Sequence, residues 1–295
     1  MVIGLIFVAA AATCLGIMPT FQKQLLVDGL PIDSLMFYTN WIITLVCLAM
    51  IVVKKRSLRA TAKQLIQAFI MGVVGMLFTA VLLNTSYLYL PVGTAIMLNF
   101  LYPSIVCVIM GTIFKEGFTK IQIAAIAVSI TGMAFLTGAG GSMPLMGMLL
   151  AIASAFTYGI YLVANEKGPA NELSTEVKLF YVSLPGTVLY TILPLVRQTL
   201  AAPEGGAMGW IMALCSGLFT VGGYFFMMNG IERLGAATAS FVSMLEPIVS
   251  VVFGTIWFHD PVTVGIAAGG ALVLASILLI AIDGYRKLLI CKKRI

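Results

Sequence analysis

Long apolar runs, bounded by charged residues, proline or glycine, follow one another along almost the whole chain. Ten of them can be marked, at about 2–22, 34–53, 65–88, 92–114, 121–138, 144–164, 177–199, 207–229, 236–258 and 263–282. A helix rises about 1.5 Å per residue, so each run can cross a hydrocarbon core about 30 Å thick. None of the runs alternates as a barrel strand does. The pattern therefore predicts an all-α integral membrane protein with ten transmembrane helices.

The composition excludes a soluble globular domain. Apolar residues make up 61% of the 295 residues and charged residues 9%, whereas soluble domains are about half apolar and a quarter charged. Ten spans of about 20 residues leave few positions for loops and tails. We therefore expect the lipid bilayer to surround the chain, and we expect no separate catalytic or nucleic-acid-binding domain.

The basic residues lie where membrane orientation requires them. The net charge is +6, but lysine and arginine occur in short segments between the apolar runs, so no nucleic-acid partner is expected. With a cytoplasmic amino terminus, fifteen of the 17 basic residues fall on the cytoplasmic side, and only Lys23 and Arg197 fall opposite. The positive-inside rule predicts a multi-pass protein of the plasma (bacterial inner) membrane with both termini in the cytoplasm.

The chain matches itself at an offset of about half its length. An offset of 144 aligns 89–124 with 233–268, where nine of 36 positions are identical, including a proline in mid-span. Each half then holds five helices, and because five is odd the second half must be inverted. We expect a first repeat at 1–142 and a second, inverted repeat at 143–295 with a short basic tail. Inverted repeats around a midplane site are typical of secondary transporters.

Two matched segments carry a resemblance to a known family. Ten helices in two halves of five, with Leu245-Glu246-Pro247 in the ninth run and Leu101-Tyr102-Pro103 at the matched place in the fourth, resemble the EamA-type branch of the drug/metabolite transporter (DMT) superfamily. The resemblance covers nearly the whole chain. It implies a permease that moves small metabolites, often amino acids or related compounds, outward through a central cavity lined by both repeats. It does not identify the substrate.

Glu246 is the only carboxylate deep in a predicted span. It lies about ten residues into the ninth run, or about 15 Å along a core of about 30 Å. A carboxylate at that depth is costly unless it is protonated, paired or facing a polar cavity, which indicates a functional site. It could bind a coupling proton or accept a substrate ammonium. The structural alternative is that it bonds to backbone groups freed by Pro247.

Helical spacing groups other polar residues with Glu246. Ser243 and Glu246 share one face of the ninth run, and the repeat offset carries them to Asn99 and Tyr102 in the fourth. Because an amide and a carboxylate are costly against lipid, we predict that these four side chains line the substrate path. For Asn99 and Ser243 the alternative is hydrogen bonding between helices.

A weaker set of candidates lies on the runs that pair across the repeat. The further predicted substrate-binding residues are Thr13, Asn84, Tyr87, Tyr158, Tyr224 and Asn229, with Tyr161 as a similar candidate. Either asparagine could instead cap its helix, and Tyr87 could belong to an aromatic belt at the interface. An aromatic cavity would suit apolar or cationic substrates. The mid-span prolines, Pro103 and Pro247, are the predicted hinges.

Together these features predict a secondary-active permease that exports small metabolites by alternating access, with proton exchange through Glu246 as one coupling route. A translocase of lipids, lipid-linked sugars or nucleotide sugars on the same scaffold is the alternative. An intramembrane enzyme is a distant alternative, because the chain has no His-Glu-x-x-His segment and no pair of deep aspartates. We expect a small-molecule substrate, no catalytic residue, no cofactor and no metal, and a monomer or weak homodimer.

Overall fold

The computed structural model describes residues 2–113, 115, 120–138, 144–166, 168–234, 243, 245–259, 264–265, 267–272, 274–276 and 278–279. Throughout this part of the chain the regular elements are helices. In chain order they are α1 (Val2–Val27), α2 (Ile32–Val53), α3 (Ala62–Ile70), a π-helix (Met71–Leu77), α4 (Phe78–Ser86), α5 (Val92–Asn99), α6 (Tyr102–Thr112), α7 (Lys120–Gly138), α8 (Leu145–Glu166), a 3₁₀ turn (Pro169–Glu172), α9 (Thr175–Val196), α10 (Ala207–Leu234) and α11 (Leu245–Phe258). The predicted repeat boundary at 142 and the basic tail lie outside the described residues.

Six helical stretches are long and apolar enough to cross a membrane, by length and composition. They are Ile3–Val27, Ile32–Val53, Ala62–Ser86, Leu145–Ala164, Thr175–Val196 and Ala207–Gly230. Large apolar side chains on these stretches, such as Ile6, Ile66 and Phe69, are exposed, which suits a lipid environment better than water. The prediction of an all-helical membrane protein is confirmed to this extent. The count of ten spans and the inversion of the repeat stay predictions.

The third predicted run is one continuous helix that contains an unexpected π-helix. It is formed by α3, the π-helix and α4, and two glycines lie in its widened turn. A Cβ at Gly72 would lie 2.3 Å from the Val182 carbonyl oxygen, and a Cβ at Gly75 would lie 2.5 Å from Tyr161 Cβ. The two glycines therefore allow α8 and α9 to approach this helix closely. Turns of this type are rare and are frequent at functional sites.

The fourth predicted run, 92–114, is divided, although the apolar pattern indicated one straight helix. α5 ends at Asn99, and Phe100 and Leu101 separate it from α6. Proline lacks an N–H and its ring disfavours a continuous helix over the preceding turn, so Pro103 in the first turn of α6 accounts for the break. Whether the chain bends here during function stays a prediction.

The helices contact one another in a regular set of pairs. α1 packs on α10 and α11, and α8 packs on α4, α5, α6 and the π-helix. α2 packs on α9 and α10, α9 also contacts the π-helix, and α5 contacts α11. Apolar clusters fill the spaces between them; one is built on α5 with Tyr87 and Tyr102, and another holds Tyr161 between α2, α8, α9 and α10. Two of these apolar clusters therefore contain buried tyrosines.

A polar seam joins α2 to α9. Thr44 Oγ1 lies 2.8 Å from Ser183 Oγ and 2.7 Å from Thr187 Oγ1, and Trp41 Nε1 donates to Thr191 Oγ1 at 2.9 Å. The hydroxyls of Ser183, Thr187 and Thr191 also donate to carbonyls of their own helix. At one end of the two helices, Arg197 Nη1 lies 3.3 Å from Asp33 Oδ2. We call the residues that join the helices the α2–α9 seam: Asn40, Trp41, Thr44, Ser183, Thr187 and Thr191.

Candidate functional site

Glu246 lies in the first turn of α11, about 18 Å along the helix axis from its last residue, Phe258. Its N–H donates to the Ser243 carbonyl at 2.9 Å. α1 crosses directly beside it, since a Cβ at Gly16 would lie 2.8 Å from the Glu246 carbonyl oxygen, and Ser250 Oγ donates to the Gly16 carbonyl at 3.1 Å. The Glu246 side chain is half-buried, so this carboxylate lies within the helix bundle and far along α11 from its end.

The matched segment of the first half lies opposite Glu246. Tyr102, at the start of α6, is 8% exposed, and its hydroxyl makes a hydrogen bond with the Ser243 side chain. Asn99, at the end of α5, donates from Nδ2 to Ser154 Oγ on α8 at 2.8 Å. The structure therefore brings the predicted group of four to the facing starts of α6 and α11. Asn99 and Ser243 also make hydrogen bonds to other segments of the chain, which is the structural role given above as their alternative.

Four tyrosines from three helices form a row beside Glu246. The ring centroids of Tyr102 and Tyr158 lie 4.8 Å apart in an edge-to-face pair, and Tyr158 stacks on Tyr161 at 5.9 Å. Tyr161 in turn meets Tyr224 of α10 at 6.3 Å. We call Tyr102, Tyr158, Tyr161 and Tyr224 the tyrosine cluster. It connects α6, α8 and α10.

Glu246 lies close to several of these rings. Its carboxylate interacts electrostatically with Tyr102, Tyr158 and Tyr224, and with Tyr87 at the end of α4. Among the described residues no hydrogen bond or ion pair satisfies this carboxylate, and the described ion pairs lie at the ends of α2 and α9. The site therefore combines one carboxylate with several aromatic rings.

Some buried polar atoms around the cluster have no partner among the described residues. They are Asn84 Oδ1, Tyr87 Oη and Tyr161 Oη, on side chains that are 3%, 1% and 4% exposed. Asn84 Nδ2, in contrast, donates to the Ala80 carbonyl at 2.9 Å. Buried polar groups are normally matched, so these atoms keep bonding capacity that a ligand could use, and Tyr87 is the one of the three that also interacts with Glu246.

Two candidates are not joined to the tyrosine cluster by a described contact. Thr13 is exposed, and its hydroxyl donates to the Ala9 carbonyl at 2.9 Å. Asn229 Nδ2 donates to the Phe225 carbonyl at 2.8 Å, and Asn229 Oδ1 lies 3.4 Å from Arg233 Nη1. Each of these two side chains therefore forms a hydrogen bond within its own helix.

Ser154 is a site residue that was not among the predicted ones, and Tyr161 was only a secondary candidate. Ser154 lies four residues before Tyr158 and seven before Tyr161, so the three share one face of α8. The same spacing had grouped Ser243 with Glu246, and it would have indicated this face as well. In the described part of the chain, no group of three or more His, Cys, Asp or Glu side chains could hold a metal ion.

Comparison with known proteins places this arrangement in a family. The model of the EamA-like transporter family matches residues 2–138 and again 145–282. A "Probable terminal-alkyne amino-acid exporter" of Streptantibioticus cattleyicolor is 28% identical over 228 residues, 75% of each chain. The "Uncharacterized transporter YojE" of Bacillus subtilis is 21% identical over 290 residues, 94% of this chain and 92% of that one.

A solved structure shares the fold. One crystal structure superposes with a TM-score of 0.65 at 17% identity, covering 93% of this chain and 98% of its own. The relatives are named as transporters, and the long apolar helices are those of a multi-pass membrane protein. Because the two family matches together span most of the sequence, the resemblance is confirmed, and this chain belongs to the EamA-like transporter family.

Proposed function

We propose that the protein is a secondary-active permease that exports small metabolites, such as amino acids or related compounds, by alternating access around a central site. The observation that carries the proposal is Glu246, a carboxylate without a described partner in the first turn of α11, opposite the start of α6 and beside the tyrosine cluster. Ionisable groups inside a membrane domain usually serve a substrate or ion path. Amino acids come first because one relative is named as an amino-acid exporter.

The helix contacts support an inverted repeat. The offset relates α1 to α8, α2 to α9, the α3–α4 helix to α10, and α6 to α11. The contact of α1 with α10 then has its counterpart in α8 with α4, and that of α1 with α11 in α8 with α6. The contact of α2 with α9 maps onto itself. Two halves related by a two-fold axis in the membrane plane would produce this pattern.

The α2–α9 seam supports the same relation at single residues. Thr44 and Thr187 are 143 positions apart and lie 2.7 Å from each other. The contact of Thr44 with Ser183 has its counterpart in the contact of Thr187 Oγ1 with the Asn40 carbonyl. A two-fold axis passing between the threonines would relate the two contacts.

Alternating access requires contacts at the two ends of the bundle that can separate in turn. At the carboxyl end of α1, Trp257 Nε1 donates to Gln24 Oε1 at 2.9 Å, and the rings of Phe21 and Trp257 lie 6.2 Å apart. Near the amino end of α1, the Arg233 guanidinium lies 4.7 Å from the Phe7 ring centroid. These small polar and aromatic contacts link α1 to α11 and to α10, and they are the proposed gates.

Reconstitution into liposomes tests the proposal. We expect the purified protein to release at least one compound from a panel of amino acids and small amines faster than protein-free liposomes do. An imposed pH gradient should change the rate if protons drive export. Equal release with and without protein across the panel, with and without the gradient, would contradict the proposal. The orientation can be read by labelling a cysteine placed at Ser57, which should react from the cytoplasmic side only.

A further inference from the structure

We propose that the site recognises its substrate through a protonated amine, held between the Glu246 carboxylate and the tyrosine cluster, and that a substrate carboxylate is not required. This inference rests on the proposed transport function and narrows it to a substrate class. Primary amines and amino acids qualify, whereas phosphate esters, nucleotide sugars and organic acids without an amine do not.

The charge of the site is the first argument. Glu246 interacts electrostatically with four tyrosines, and no basic side chain among the described residues pairs with it. An unpaired carboxylate in a region of low polarity is costly. A cationic ligand supplies the missing charge, while an anionic ligand would add repulsion to that cost.

The aromatic rings are the second argument. The Tyr102, Tyr158 and Tyr161 rings follow one another at 4.8 and 5.9 Å between centroids, and Tyr224 continues the row at 6.3 Å. The face of an aromatic ring is electronegative, so a cation within about 6 Å of a ring centroid is attracted to it. Rings on three different helices therefore lie near one carboxylate, and an ammonium group is attracted to both kinds of group.

The unmatched polar atoms are the third argument. Asn84 Oδ1 is a buried acceptor without a described partner, and the buried Tyr87 and Tyr161 hydroxyls, which can donate or accept, also lack one. An ammonium group has three N–H donors and no acceptor, so it can bond to Glu246 and to such oxygens together. A carboxylate or phosphate brings only acceptors and would leave Asn84 Oδ1 unmatched.

Binding of matched compounds to the purified full-length protein tests the inference. The probes are leucine, 3-methylbutylamine, N-acetyl-leucine and 4-methylpentanoate, together with the corresponding set on the phenylalanine skeleton. Each ligand raises the melting temperature according to its affinity. We expect the two compounds with a free amine in at least one set to raise it. The N-acetylated and deaminated compounds should bind at least about tenfold more weakly, since each loses a charge-assisted contact.

Two variants sharpen this test. Glu246→Gln should reduce the affinity for the amines about tenfold or more, and Asp33→Asn, which changes a carboxylate at the far end of α2, should leave it unchanged. The inference is overturned if the N-acetylated or deaminated compound binds as well as the amine, if no amine binds, or if Glu246→Gln keeps full affinity. Amine binding without flux in liposomes would instead contradict the proposed function and leave this inference standing.

Discussion

The α2–α9 seam and the Glu246 site are both polar regions among apolar helices, yet their polar atoms are used differently. In the seam, Thr44 contacts Ser183 and Thr187, and Trp41 donates to Thr191. At the site, Glu246 has no described partner, and hydroxyl and amide oxygens around it are unmatched. Matched polar groups hold helices together, whereas unmatched ones next to a charge keep their bonding capacity for a ligand.

The difference depends on the combination of features and not on any single atom. Buried oxygens without a described partner also occur elsewhere on α1, α2, α5 and α10, at Thr20, Gln22, Thr39, Thr94 and Ser216. Within the described part of the chain, such an atom, the Tyr87 hydroxyl, occurs near Glu246 together with a row of aromatic rings. Three pairs of variants test whether the two regions differ as we infer.

The largest contrast is expected between the two carboxylates. Glu246→Gln should lower the rate of transport at least about tenfold while the protein still folds, because the substrate loses its ionic partner. Asp33→Asn weakens a pair with Arg197, whose side chain is 59% exposed, and a hydrogen bond from the Thr199 hydroxyl. Because the Asp33 side chain is only 10% exposed, stability should fall by about 1–2 kcal/mol with transport retained. Liposome flux and the melting temperature measure both effects. Equal loss of transport in the two variants would remove the contrast.

The next contrast concerns two close glycine contacts. A Cβ at Gly186 would lie 2.3 Å from Asn40 Oδ1 in the seam, and a Cβ at Gly75 would lie 2.5 Å from Tyr161 Cβ. Gly75→Ala should lower stability by about 1–3 kcal/mol, because the Cβ atom of Tyr161 cannot move aside, and Gly186→Ala should lower it less, because the Asn40 amide is the end of a flexible side chain.

Only Gly75→Ala should also raise KM, because it displaces a ring of the tyrosine cluster. Transport at several substrate concentrations, measured below the melting temperature of each variant, separates packing from binding. An unchanged KM in Gly75→Ala would show that the position of Tyr161 does not affect the substrate.

The smallest contrast compares two hydroxyls. Tyr161→Phe removes a hydroxyl without a described partner, so stability should change by less than about 0.5 kcal/mol while KM rises. Thr44→Val removes a hydroxyl with two side-chain partners, so stability should fall by about 0.6 kcal/mol and by about 1.7 kcal/mol at most, without a change in KM. The opposite assignment of the two effects would contradict our interpretation of both regions.

Much of this architecture could be predicted from local pattern. The apolar runs located the long helices, because the cost of exposing backbone polar groups to lipid requires helices of sufficient length. Depth in a run identified Glu246, and helical spacing placed Ser243 with it and Asn99 with Tyr102. Pro103 could have indicated the break between α5 and α6. Proline also occurs in membrane helices that continue, however, so the pattern alone could not predict whether the helix is broken there.

Other features depend on neighbours that are distant in sequence. The π-helix around Gly75, the contact of that glycine with Tyr161 and the row of four tyrosines arise where α4, α8 and α10 meet. Residue spacing could not predict that the Thr44 hydroxyl has hydrogen-bond partners and that the Tyr161 hydroxyl has none among the described residues. Each outcome depends on atoms that belong to another helix.

The order of apolar and polar residues was therefore sufficient for the helices, for their family and for the one carboxylate within them, since these follow from the cost of placing polar groups in lipid. The packing of distant helices was needed to distinguish the satisfied seam from the unsatisfied site, because a hydrogen bond exists only when both of its partners are in place.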